Sequence, residues 1–296
     1  MRGNNSALKK YFPFFIVITA IIAITTFGLP APTGLMILDA QTEVVRINGL
    51  RPDSSSIWLE STRESTTESC LNEVWMRPGV GAGVRYSATA DGSIRVRTYG
   101  DWSVQSATTE ITHYSDSREY VIASKNTNCK HSAAVRLPLN GYLEVGSEQF
   151  FTSSNNEMLL LTDAALTLYG RAISKILGKI PLDSGPFNAH SLYLADVLAV
   201  PAGSRISGAK AADGLPARWW GFVNIEFSDQ RGNMHAKATT NATSVNVFAP
   251  SPSAGAIGEP DRFRLTSGIR FTNDPNLLWI YSILGLVALL LGIIQE

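Results

Sequence analysis

Two uncharged apolar stretches, one near each end, constrain this chain more than any other feature. Residues 12–29 (FPFFIVITAIIAITTFGL) and 277–294 (LLWIYSILGLVALLLGII) contain no Asp, Glu, Lys or Arg. As helices rising about 1.5 Å per residue, each reaches about 27 Å, the thickness of a hydrocarbon core. Pro13 falls in the first turn of one, where a missing N–H is tolerated, and Trp279 and Tyr281 sit at the headgroup end of the other. Between them lies a polar stretch rich in Ser, Thr, Asn and Gly. The expected architecture is a mainly β extracytoplasmic domain, sandwich- or barrel-like with one amphipathic helix, flanked by two transmembrane α-helices.

Orientation follows from the basic residues. Arg2, Lys9 and Lys10 precede the first stretch, and residues 30–45 carry only Asp39 and Glu43 as charges. The positive-inside rule then puts both termini in the cytoplasm. Arg262, Arg264 and Arg270 before the second stretch argue the other way, but the first helix usually sets the orientation. The parts are a cytoplasmic tail 1–11, a signal anchor 12–29, the domain 30–276 with a sub-boundary near 150–157, a second span 277–294, and a cytoplasmic end 295–296. A cleaved signal peptide is the alternative for the first stretch, although its apolar run is long and Pro30 closely follows the Thr26-Phe27-Gly28 site. The location is an integral membrane protein, in the manner of a bacterial inner membrane.

Period-two alternation places strands at 43–47, 57–59, 84–90, 93–98, 103–113, 120–124, 191–200, 221–227, 234–240 and 244–248. Asp91-Gly92 predicts a two-residue hairpin turn, and 228–233 (SDQRGN) a second hairpin. Residues 30–40 read as an exit linker and 249–260 as a low-complexity loop. A helix is expected over 166–180, where Leu166, Tyr169, Ile173, Ile176, Leu177 and Ile180 recur every three or four residues. Arg171, Lys175 and Lys179 would form its opposite, basic face, suited to an anionic membrane surface or an acidic partner. Leu168 breaks the stripe, and Gly170 and Gly178 weaken such a helix.

Cys70 and Cys129 are the only cysteines, and outside the cytoplasm the simplest expectation is one disulfide. It would close a loop of about 60 residues and stabilise the fold by about 4 kcal/mol in the chain-entropy model. Cys129-Lys130-His131 offers too few ligands for a structural zinc site, so no metal is expected. His113, His131, His190 and His235 share no catalytic spacing, and no G-x-S-x-G elbow accompanies them. The 79–83 run GVGAG lacks the Gly-Lys-Ser/Thr of a phosphate loop and reads as a lead-in to a hairpin. Asn241-Ala242-Thr243 fits a glycosylation sequon. If Trp219 and Trp220 lie on a strand, their rings point to opposite faces, one to the core and one outward for a sugar or an interface.

Within the apolar stretches, Gly285, Ala288 and Gly292 form one small-residue face, as do Thr19, Ala23 and Thr26. Such faces let helix backbones approach closely. The 25 basic and 25 acidic residues cancel, so no global field favours nucleic acid. Expected partners are the lipid bilayer and either a second copy or another membrane protein, with no cofactor. These features favour a non-enzymatic envelope protein displaying a β domain for scaffolding or partner assembly. An exported enzyme acting on glycan, lipid or peptide and a subunit of an oligomeric channel or transporter are the alternatives.

Overall fold

Alternation of buried and outward residues governs most of the molecule. In the strand Gly83–Ala88, Val84, Tyr86 and Ala88 turn inward, and in Ser244–Phe248 Val245 and Val247 do the same. The computed structural model describes residues 15, 19, 33–53, 55–64, 71–89, 92–106, 109–122, 134–146, 161–173, 175–176, 180–181, 191–227, 232–250 and 260–294. It is mostly antiparallel sheet with two helices near the C-terminus.

Contacts divide the chain into two units, one of residues 1–34, 168–196 and 265–296 and one of residues 35–167 and 197–264. A first sheet sets Gly34–Thr42 against Gly232–Thr240; Gly232–Thr240 pairs in turn with Trp219–Phe227, and Trp219–Phe227 with the first part of Ala134–Val145. A second sheet starts from the last part of Ala134–Val145 and continues through Val44–Asn48, Gly83–Ala88, Ile94–Tyr99 and Glu119–Ile122. The 12-residue strand Ala134–Val145 therefore serves both sheets. It changes partner after Gly141, where a Cβ would meet Asn48 O at 2.5 Å and Ile47 Cγ2 at 2.6 Å. Only glycine admits so close an approach.

Ile57–Glu64 plays the same double role. Its end pairs with Glu119–Ile122, while its start opens a third sheet through Leu71–Pro78 and Trp102–Ser106 to Thr109–Tyr114. Met36, Leu38, Ile47, Tyr86, Leu137 and Trp219 are among the largest fully buried side chains of the second unit.

Most expected strands are present with shifted ends, and 244–248 agrees at both ends. The hairpin at Asp91-Gly92 needs correction. Its closing pair is Thr89–Ser93, with Thr89 N donating to Ser93 O at 2.9 Å and Gly92 N to Thr89 O at 3.0 Å. Three residues lie between them, and Gly92 at φ 80° supplies the left-handed position that such a loop requires. The exit linker 30–40 is strand from Gly34 onward.

The expected amphipathic helix at 166–180 is also corrected. Leu161–Arg171 is a strand, followed by the small ladder of Lys175–Ile176 with Ile180–Pro181. Ala164, Leu166, Leu168 and Gly170 face inward at a period of two, so the Leu168 that breaks a helical stripe is in register with a strand. The strand pairs with Gly34–Thr42. Arg171 N donates to Thr33 O at 2.9 Å, and at the other end Thr162 Oγ1 donates to Gln41 O at 2.9 Å.

Candidate functional site

The first unit concentrates its buried polar groups at one joint. Thr266 caps the short helix Ser267–Asn273, accepting from Ile269 N at 3.2 Å. Asp274 ends that helix because it precedes Pro275, which disfavours the α conformation; its ψ is 113°. Pro275 then sits at the first position of the helix Pro275–Ile294, where its missing N–H costs nothing. The two axes bend by 68° at this point.

Asp274 is fully buried and its carboxylate serves both sides of the bend. Oδ1 accepts from Asn276 N at 2.9 Å and Leu277 N at 3.4 Å, capping the long helix. Oδ2 accepts from Ile173 N at 2.9 Å and lies 3.5 Å from Arg270 Nε, a guanidinium that is itself buried. Asn276 Nδ2 donates to Ile173 O at 2.8 Å, so both backbone groups of Ile173 are taken up by the joint. Asn273 Nδ2 reaches Ala195 O at 3.0 Å on a neighbouring strand. Ile173, Leu277 and Ile280 form the apolar floor, with Phe271, Tyr281 and Leu284 packed on it. Burial pushes the Tyr193 phenol up to about 12; the Asp274 negative charge adds to this and Arg270 opposes it.

The long helix carries two unlike faces. Leu277, Ile280, Tyr281, Leu284 and Ala288 face inward or are half-buried. Leu278, Trp279, Ile283, Leu286, Val287, Leu289 and Leu290 are exposed across an arc of about 180° at about 100° per residue. The one hydroxyl on that side, Ser282, returns to Leu278 O at 2.8 Å. A helix on a water-soluble surface carries polar residues on its outer face. Over Leu278–Leu290 the exposed face of this one is apolar apart from Ser282. Over its fully described residues, no single helix is long and apolar enough to cross a bilayer, but the bent pair of Ser267–Asn273 with 275–290 meets both conditions together.

The expected site residues fall as follows. Gly285, Ala288 and Gly292 all lie on the long helix; Ala288 is buried and a Cβ at Gly285 would meet open space. Thr19 is helical and donates to Phe15 O at 2.7 Å, while Ala23 and Thr26 lie outside the described residues. Cys70, Cys129 and Lys179 also lie outside them. Arg171 ends a strand and Lys175 pairs with Pro181, so these two do not share the expected helical face. Trp219 is buried and Trp220 is 45% exposed, the split that a strand demands.

No group of three or more metal-ligating side chains occurs among the described residues. Asp39, His235 and Lys237 form an exposed cross-strand cluster: His235 Nε2 contacts Asp39 Oδ1, and Lys237 Nζ lies 3.3 Å from Oδ2. Partial burial raises the Asp39 pKa, but hydrogen bonds from His235 and Lys237 outweigh it and hold the carboxyl below its ordinary value. Ser103 Oγ is 2.9 Å from His113 Nδ1, yet no carboxylate joins this pair among the described residues. The joint itself was missed from sequence, although Thr266 as a cap and Asn273-Asp274-Pro275 as a helix stop and start are both local signals. No family model, no curated protein and no solved structure matches this chain.

Proposed function

We propose that the chain is a membrane-anchored envelope protein that displays its β-rich portion outside the cytoplasm for scaffolding or partner assembly, without catalysis of its own. One observation carries this reading: the outer face of the helix Pro275–Ile294, over Leu278–Leu290, is exposed, largely apolar and uncharged where a soluble protein would be polar. Lipid satisfies such a face, and every backbone group inside a helix is already bonded. The buried Asp274 carboxylate supports a set exit angle for the anchor. Arg2, Lys9 and Lys10 support an N-terminus held inside.

Reporter fusions test this directly. A reporter that works only outside the cytoplasm is active when fused after Ser154 and silent after Glu296, and the chain resists alkaline extraction from membranes. Activity at Glu296 with silence at Ser154, or release by alkali, overturns the reading.

A further inference from the structure

The outward side of the third sheet carries an ordered array of side chains that the display reading does not use. Trp58 and Trp75 face each other across Ile57–Glu64 and Leu71–Pro78, with ring centroids 5.9 Å apart and planes tilted by 36°. They are 41% and 51% exposed, although Met76 and Val74 beside Trp75 are fully buried. Trp75 is in register with Gln105 on the next strand, and Ile111 continues the line on Thr109–Tyr114, exposed. A second line runs parallel to it. Arg77 is in register with Ser103, and Ser103 with His113. A groove of about 320 Å³ runs between these lines, and a second of about 340 Å³ continues past Ser103 and His113 towards Asp101. That volume lies within the range of small-ligand sites.

We propose that this face binds a neutral, extended polysaccharide chain. Trp75 in the groove and the exposed Trp58 beside it offer aromatic surface to the C–H side of a sugar, and the parallel polar line offers donors and acceptors to its hydroxyls. Other occupants fit less well. Nucleic acid needs several cations, and among the described residues lining the groove the only permanent one is Arg77, with the exposed Glu73 two residues away on the same side of the strand. A peptide adding to a sheet pairs along a strand edge, whereas the groove lies on the face of three paired strands, Leu71–Pro78, Trp102–Ser106 and Thr109–Tyr114. A sheet face suits a flat chain of β-1,4-linked sugars better than a coiled α-linked one. The inference deepens the display reading by naming the class of partner, and it depends on that reading only for where the glycan is met.

Titration of the full-length protein in lipid discs, free of sugar-based detergent, tests the site by tryptophan fluorescence. Cellohexaose and chitohexaose are expected to give a saturable change, and maltohexaose to bind at least ten-fold more weakly. Trp75→Ala is expected to weaken binding at least ten-fold and Trp58→Ala about five-fold. Trp220→Ala, on a different sheet, leaves it unchanged. Gln105→Ala, expected to weaken binding several-fold, serves if either tryptophan variant fails to fold. Absence of a response to both β-1,4 hexasaccharides, a response that survives Trp75→Ala and Gln105→Ala, or a response to an extended peptide alone overturns the proposal. Because the assay uses purified protein, its failure is distinct from failure of the reporter experiment.

Discussion

Replacing Asp274 by alanine strikes the joint where the C-terminal helix meets the strand ends of its own unit. Three losses follow. The cap of the long helix goes, at about 1 kcal/mol. The buried Ile173 N–H is left without its 2.9 Å acceptor, at about 1–3 kcal/mol. The buried Arg270 guanidinium loses its carboxylate, and breaking such a pair costs about 3–5 kcal/mol. These overlap because one carboxylate makes all the contacts, so the sum overstates the effect. A local loss of about 4 kcal/mol is expected, about a thousand-fold in opening equilibrium. Hydrogen exchange on the full-length protein in lipid discs reads this in peptides covering 168–176 and 265–284, with 94–99 as the reference. Asp274→Asn combined with Arg270→Met is expected to cost less than the sum of the two single changes, because both remove the same buried ion pair. A change below ten-fold in Asp274→Ala, or equal loss in the 94–99 reference, would show that the joint does not hold the helix.

The remaining predictions concern single features. Gly285→Leu with Gly292→Leu is expected to weaken self-association, or association between helices, by about 1–3 kcal/mol. A Cβ at Gly285 meets nothing within 4 Å, so its effect belongs to the association; Leu286→Ala with Leu290→Ala is the control, and energy transfer between labelled helices in liposomes is the readout. Tyr86 is fully buried and its hydroxyl has no partner among the described residues, so Tyr86→Phe is expected to stabilise by up to about 1 kcal/mol in urea unfolding. Burial also raises the Tyr86 pKa above its ordinary 10.0; the unfolded chain ionises first, so stability falls as pH rises above that value, less steeply in Tyr86→Phe. The lowered Asp39 pKa contributes stability above its ordinary value of 3.8 that is lost as pH falls through the folded value. Being half exposed, the cluster is worth less than about 1 kcal/mol. Asp39→Asn is therefore expected to cost that little at pH 7 and nothing at pH 2, measured by urea midpoints.

Much of the β architecture is legible in the chain because alternation and turn residues are local properties. Ser244–Phe248 and the opposed Trp219 and Trp220 follow from period two alone. The helix Pro275–Ile294 follows from an uncharged run, and its start at Asp274-Pro275 was readable though placed two residues late. Leu161–Arg171 was not decidable in this way. Leu166, Tyr169 and Ile173 fit a helix as well as Leu166, Leu168 and Gly170 fit a strand, and pairing with Gly34–Thr42 settles the choice. Gly170 reads locally as a weak point in a helix; in the fold its missing side chain leaves room for the Tyr193 ring. Tertiary structure alone decided that Asp274 meets Ile173, 101 positions away, and that Trp75 lies between Trp58 and Gln105. Periodicity reports which face of a segment is buried, whereas the partner of that face is set by strand register, and register depends on residues far apart in the chain.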